Sequence, residues 1–329
     1  MSEKNYLYPL KFDTIFKEKI WGGTKIRDLL NKDFSPLKNC GETWEISGVE
    51  GNLTQVSEGN LKGWTLPELI AEYKGDLVGS RVYEEYGKQF PLLVKFIDAA
   101  QSLSIQVHPD DKLAKARHNS QGKTEMWYVV QADDGARLIS GFNKNTNKQE
   151  YLDHLNNGKL TDILNYEDVQ SGDCFYLPAG RIHTIGQGLL LAEIQQSSDV
   201  TYRIYDFDRI DDEGNKRELH TEEAIDALDY KEYSDYKTNY TPCLNESVPL
   251  VKSQYFRTNL LDYTTGIIRE HYDSDSFILY TCLQGEAEIA TQGHSTKICM
   301  GNAVLVPRKF PEIHIRTKSG FKMLETYMP

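Results

Sequence analysis

The stretch Gly172-Asp-Cys-Phe-Tyr-Leu-Pro-Ala-Gly-Arg-Ile-His183 constrains this chain more than any other. It reads G-x5-P-x-G-x2-H. A run rich in strand formers ends at Pro178, because proline has no N–H to give to a ladder. Gly180 then supplies backbone freedom just before a side chain that has to be aimed. This is the grammar of a β-barrel that holds a metal ion, with His183 at a strand edge facing inward.

A second stretch supplies partners for that histidine. Ser104-Ile-Gln-Val-His108-Pro109 alternates with period two, so a strand here places Ser104, Gln106 and His108 on one face and Ile105 and Val107 on the other. A polar face in an otherwise apolar neighbourhood implies a polar cavity inside a barrel. The run Lys123 to Val130 repeats the pattern and brings Lys123 and Glu125 to a common face. Gln106, His108, Glu125 and His183 thus form a four-ligand set. Its imidazole nitrogens with carboxylate and amide oxygens suit Zn²⁺, and also other divalent first-row ions such as Fe²⁺ or Mn²⁺.

The 329 residues are enough for two domains, and 39% hydrophobic with 26% charged residues is an ordinary globular composition. No run approaches the roughly 18 apolar residues of a membrane helix, and the polar start Met1-Ser2-Glu3-Lys4-Asn5 has no hydrophobic region for secretion. The expectation is a cytoplasmic protein. Cys40, Cys174, Cys243, Cys282 and Cys299 are scattered, without a C-x2-C pair, and read as reduced small hydrophobes. A net charge of −12 and a pI near 5.2 argue against nucleic-acid and anionic-membrane partners. A small anionic ligand remains compatible if basic residues stand within apolar strands, since long-range repulsion is screened over about 8 Å at physiological salt.

Such residues exist. Lys95 sits inside the run Pro91 to Asp98 and Arg203 shares a face with Thr201 and Tyr205, while the run Leu189 to Gln196 carries a carboxylate, Glu193. The first 60 residues read as irregular and turn-rich, with Trp21 and Trp44 beside glycines either lining a sugar pocket or capping the core. Helices are expected over residues 64–88 with Thr65 as cap, near 110–117, over 147–160, and over 219–228 with Thr221 as cap. A domain boundary falls near residue 245. Beyond it, Gly301-x5-Pro307 repeats the start of the first motif but lacks the glycine and histidine that complete it at 180 and 183. The expected architecture is mainly β, with two barrels of jelly-roll type and short helical segments. Residues 1–245 would hold the metal, with an N-terminal extension and short helical inserts. Residues 246–329 would form a metal-free barrel in which His271, His294 and His314 serve packing or surface roles.

On these motifs the chain resembles the type I mannose-6-phosphate isomerases, zinc-dependent cupins, in their short bacterial form. The matching segments are Gln106-Val-His-Pro109, Lys123-Thr-Glu-Met-Trp127 and His183, and the likeness runs from Trp21 to Arg209 and more loosely through the second barrel. It implies two cupin barrels, with Gln106, His108, Glu125 and His183 on one zinc ion per chain. It also implies reversible exchange of mannose 6-phosphate and fructose 6-phosphate through a cis-enediol, with Lys95, Ser104, Glu193 and Arg203 in the cavity. Lys123 and Glu193 are the candidate proton-transferring groups. Arg203 would hold the phosphate with Ser104 and Lys95 or Arg209, and Trp21 would line the sugar site. Gly122 departs from the larger members, which have histidine there, and their long helical insertion is missing between Asn143 and Asp168. Two rival readings are a non-haem iron cupin oxygenase and a non-catalytic sugar-phosphate-binding bicupin. Sequence leaves the oligomeric state open.

Overall fold

A computed structural model of the chain describes residues 6–211 and 213–329. As expected, the fold is mainly antiparallel β with short helices. Among the described residues, a six-stranded sheet runs in the order Ile15–Lys17, Glu42–Ile46, Leu92–Ala99, Leu189–Gln196, Glu125–Ala132 and Cys174–Leu177. Facing it is a five-stranded sheet in the order Tyr202–Tyr205, Ile105–Val107, His183–Thr184, Arg137–Phe142 and Leu164–Asp168. A nine-stranded sheet holds the strands after residue 245 together with Leu10–Lys11, which pairs Leu10 with Leu305. The N-terminal extension therefore contributes a strand to the C-terminal sheet.

Every residue of Leu92–Ala99 and Leu189–Gln196 is buried, so both faces of these strands are covered. That is why they read as nearly unbroken apolar runs. Alternation still sorts the side chains. Val94, Phe96, Met126, Ala192 and Ile194 face outward into a core shared with Leu260, Leu279, Leu305 and Leu324 of the nine-stranded sheet. Ile97, Trp127, Val129 and Leu191 face into the first barrel. Lys95, Glu125 and Glu193 share the parity of that inner set, so they are directed into the barrel.

The helices fall near their expected places. The segment 64–88 is broken into Leu66–Tyr73, Gly75–Val78 and Ser80–Tyr86, because Lys74 and Gly79 take positive φ angles of 45° and 99°. Thr65 opens the first through hydrogen bonds of its amide and hydroxyl to the Glu68 carboxylate, at 2.8 and 2.7 Å. Asp111–His118 and Lys148–Asn156 are capped by the side chains of Asp110 and Asn147. In the last helix Thr221 is the first helical residue rather than the cap, a position that falls to His220. The N-terminal segment is more regular than its sequence: Glu42–Ile46 is an interior strand of the six-stranded sheet. All five cysteines are free. Among the described residues, no helix is long and apolar enough to cross a membrane.

The nine-stranded sheet contains a buried charge cluster of its own. Glu325 lies in the ladder between Asn259 and Tyr280, as Glu193 lies between Lys95 and Trp127. Its carboxylate accepts hydrogen bonds from Arg269 Nε and Nη2 at 2.8 and 2.6 Å, Asn259 at 3.0 Å and Tyr280 at 3.1 Å, with His271 Nε2 at 3.2 Å. His314 pairs at the surface with Glu312, and His294 stacks on Tyr6. Burial by itself would raise the Glu325 carboxyl, but the bonds from His271 and Arg269 outweigh it and bring the group down to about 2. A carboxyl whose folded pKa lies below its unfolded value stabilises the fold above the unfolded pKa and loses that contribution as pH falls toward the folded one. Stability should therefore drop between roughly pH 4.5 and 2. Urea unfolding followed across that window should show Glu325→Gln flatter than the parent. At neutral pH the variant should be weaker by on the order of 3 kcal/mol, because Arg269 loses its buried partner.

Candidate metal centre and substrate cavity

Three strands deliver the metal-type ligands. His108 directly follows Ile105–Val107, Glu125 opens Glu125–Ala132, and His183 opens His183–Thr184 opposite Gln106 in the ladder. The turn before His183 depends on Gly180, whose φ is 90° and whose amide donates to the His108 carbonyl at 2.9 Å. One donor atom from each of His108, Glu125 and His183 lies within 4.8 Å of the others, and all three residues are buried. Among the described residues they form the sole such group of three.

The local chemistry fits a divalent cation. His183 Nδ1–H donates to the Arg181 carbonyl at 2.8 Å and His108 Nδ1–H to the Val200 carbonyl at 3.0 Å. A carbonyl can only accept, so each ring is fixed as the tautomer whose Nε2 lone pair faces the cluster. Burial pushes His108 well below the usual histidine range and His183 down to about 3, so both stay neutral and able to ligate at physiological pH. Glu125 Oε1 is 3.3 Å from His183 Nε2 and its Oε2 is 3.5 Å from His108 Nε2, yet neither oxygen has a hydrogen-bond partner. Burial raises this carboxyl to about 7, against the lowering influence of Lys123. A buried carboxylate with two orphaned oxygens between two lone pairs is a group awaiting a cation. The Gln106 amide completes the ring, its nitrogen 3.3 Å from His183 Nε2, and a half-turn of the amide presents its oxygen instead.

Beside the cluster opens a cavity of about 300 Å³. Lys95, Lys123, Ser104 and Glu193 line its buried part, Trp21, Trp44, Ile97 and Leu103 its walls, and Lys19, Asp199, Arg203 and Arg217 its more exposed side. Lys123 Nζ stands 3.1 Å from His108 Nε2 and 3.4 Å from Glu125 Oε2. Glu193 accepts from Lys95 Nζ at 3.0 Å on one oxygen and from Trp127 Nε1 at 2.9 Å on the other. Burial raises its carboxyl, but the Lys95 and Lys123 charges outweigh that and hold it below the usual range. Lys95 also donates to Gln195 at 2.7 Å and lies over the Trp44 ring.

Residues 9–134 match the family model described as the phosphomannose isomerase type I catalytic domain. A probable mannose-6-phosphate isomerase of Bacillus subtilis is 35% identical over 95% of this chain and 98% of its own length. The mannose-6-phosphate isomerase of Streptococcus mutans is 36% identical over 91% and 92%. The chain belongs to the type I phosphomannose isomerases. The crystal structure of the Bacillus subtilis mannose 6-phosphate isomerase superposes on it with a TM-score of 0.86 at 30% identity, covering 97% of this chain and 99% of that one. Family membership favours neither the iron-oxygenase nor the non-catalytic reading.

Within this phosphomannose isomerase fold, ten of the eleven site residues expected from sequence gather around one place. His108, Glu125 and His183 form the cluster, and Gln106, Lys123, Ser104, Lys95, Glu193, Arg203 and Trp21 line the cavity. Arg209 is the one apart. Its Nη1 donates to the Ser102 carbonyl at 2.6 Å and its Nη2 to Asp206 at 2.5 Å, and it faces a neighbouring cavity with Gln101 and Lys38. Sequence reading missed Lys19, Glu42 and Arg217. Glu42 and Trp44 share a strand face, so period two was the available signal. Trp44 Nε1 donates to Glu42 at 2.8 Å, and Lys19 pairs with Glu42 at 3.2 Å. Burial opposes ionisation of Glu42, but Lys95 and Lys19 together bring it down to about 2. Arg217 lies in an aperiodic polar loop with no such signal.

Replacing His183 with Ala removes one of the three converging donors. The variant should purify folded, less stable to heat, and without stoichiometric metal by elemental analysis. Retention of full metal content would remove His183 from the ligand set.

Proposed function

We propose that the chain catalyses the reversible isomerisation of D-mannose 6-phosphate and D-fructose 6-phosphate, with one zinc ion per chain held by Gln106, His108, Glu125 and His183. The observation that carries this reading is the convergence of a buried His-Glu-His cluster with Lys123 and Glu193 at one cavity, in a chain of this family. Two neutral imidazoles, a carboxylate and an amide oxygen are a donor set that zinc accepts. A zinc ion there supplies Lewis-acid stabilisation for negative charge on the substrate oxygens.

The exchange takes a proton from the carbon beside the carbonyl and returns it to the adjacent carbon, passing through a cis-enediol. The group that moves it must face the cavity and not be committed to fixed partners on every polar atom. Glu193 is poorly suited, since Lys95 and Trp127 occupy its two oxygens and hold it ionised. It is better read as a fixed negative charge that orients Lys95. Lys123 is buried, lines the cavity, and touches His108 and Glu125. We assign it the proton transfer. Trp21 and Trp44 give the cavity an apolar wall for the sugar, with the Trp44 ring lying under Lys95.

We also propose that residues 246–329 form a metal-free counterpart of the first barrel. The correspondence rests on ladder positions. Ile278 stands two residues before Tyr280 as Glu125 stands two before Trp127, and Ile313 is opposite Arg269 as His183 is opposite Gln106. Of the four proposed ligand positions, those of Glu125 and His183 thus carry isoleucine in the second barrel and that of Gln106 carries Arg269.

Purified protein assayed by coupled reduction of the downstream product should turn over mannose 6-phosphate, lose activity on chelation and recover it with added zinc. Failure of zinc to restore turnover, while another divalent ion does so, would reassign the metal. Lys123→Gln should lower kcat by about 100-fold or more with metal content unchanged. A variant with near-normal kcat would transfer the proton step to another group.

A further inference from the structure

The phosphate of such a substrate needs donors that are not already engaged. Among the basic residues of the cavity, Lys95 is bound to Glu193 and Gln195, Lys19 to Glu42, and Lys123 to the metal cluster. Arg203 spends Nη1 on the Glu218 carbonyl at 2.7 Å, and its buried Nε has no partner. Arg217 uses Nε and Nη2 on the two oxygens of Asp206, the first at 2.7 Å, and among the described residues nothing engages its Nη1. Asp206 is itself 5% exposed. It holds Arg217 in a planar two-point fork, leaving the outer edge of that guanidinium unspent.

We infer that Arg217, held by Asp206, acts with Arg203 as a paired guanidinium clamp for the phosphate dianion, and that Arg209 supports the clamp from behind without touching the ligand. This rests on the isomerase reading of the same cavity. The charge pattern agrees with it. Burial and the nearby Arg217 charge both press on Arg203, and Arg209 adds to the load, while Asp206 opposes all three. Three guanidinium groups stand here against the carboxylates of Asp206 and Glu218, so the arginine side of the cavity keeps a net positive charge that suits an anionic group. Arg209 meets Asp206 and the Ser102 carbonyl, and only Arg203 and Arg217 of the three line the substrate cavity.

The test measures inorganic phosphate binding to the zinc-loaded enzyme by calorimetry, alongside KM and kcat for mannose 6-phosphate. Arg217→Gln should weaken phosphate binding and raise KM by about tenfold or more while kcat stays within about threefold, because the fork contacts the phosphate and not the reacting carbons. Arg209→Gln should have the smaller effect on both. Unchanged phosphate binding in Arg217→Gln, or an equal or larger loss in Arg209→Gln, overturns the assignment. Should Arg217→Gln fail to fold, Arg217→Lys decides: it keeps the charge without the fork, so weakened phosphate binding supports the clamp and unchanged binding refutes it. An absence of turnover in the parent enzyme would sink the isomerase reading. The phosphate titration would still judge Arg217 by itself, and a parent that binds no phosphate overturns the clamp as well.

Discussion

A strand buried on both faces has no solvent side on which to place a charge, so each ionised residue it carries must be answered by another. The strands Leu92–Ala99 and Leu189–Gln196 are buried throughout, yet they carry Lys95 and Glu193 directly opposite each other. That pair fixes the polar interior of the first barrel. Lys95 holds Glu193 ionised, Glu193 orients the Trp127 indole, and Glu42 and Gln195 take up the rest of the lysine's field. Within this network Glu125 is the exception. Its two oxygens make no hydrogen bonds and lie between two histidines that stay neutral, with Lys123 at 3.4 Å as the charge that faces them, and this makes Glu125 the centre of the candidate metal site.

The second barrel answers the same constraint with a guanidinium. Glu325 is buried as deeply as Glu193 and stands at the corresponding ladder position, but its neutralisation comes from the fork of Arg269. With Ile278 and Ile313 at the proposed counterparts of two ligands, Glu325 and His271 are the donor groups left in this interior, and they are engaged with each other and with the guanidinium of Arg269. The outward faces of the two sheets are alike in their apolar residues, and they share one core in which Phe90 packs on Phe277 with ring centroids 4.7 Å apart. The two barrels therefore differ inside, where chemistry is done, and agree outside, where they dock.

Much of this was legible in the sequence because period two is a strict rule. Gln106-x-His108 and Lys123-x-Glu125 could only present their polar residues on one face, and Pro178 with Gly180 set the turn that aims His183. The same rule should have promoted Glu42 beside Trp44, but the surrounding glycines and short strands masked a five-residue strand as loop. Arg209 and Arg217 were beyond any rule of this kind. Both lie in the segment after Tyr202–Tyr205, where Phe207 and Asp208 take positive φ and the chain turns back so that His220 bonds Arg203. Which arginine reaches the cavity depends on that irregular path, which carries no repeat in sequence.

Gly122 shows how such a departure from the larger members follows from packing. Its amide donates to the Asp111 carboxylate at 2.8 Å, and a Cβ there would lie 2.6 Å from the Asp111 backbone nitrogen, so no side chain fits. Asp111 also receives Gln196 Nε2 at 3.0 Å, and Gln196 in turn accepts the Thr124 amide at 2.9 Å. The other Asp111 oxygen accepts the hydroxyl of Tyr255, at 2.5 Å, from the segment after residue 245. Lys123 and Glu125 flank Thr124, so one carboxylate ties the strand that carries both to a phenol of the second barrel. The room that a histidine would need at 122 is filled by this tie. In this chain the lysine's backbone is placed by main-chain hydrogen bonds and by contact between the barrels, and its ammonium by His108 and Glu125, with no side chain at 122 taking part.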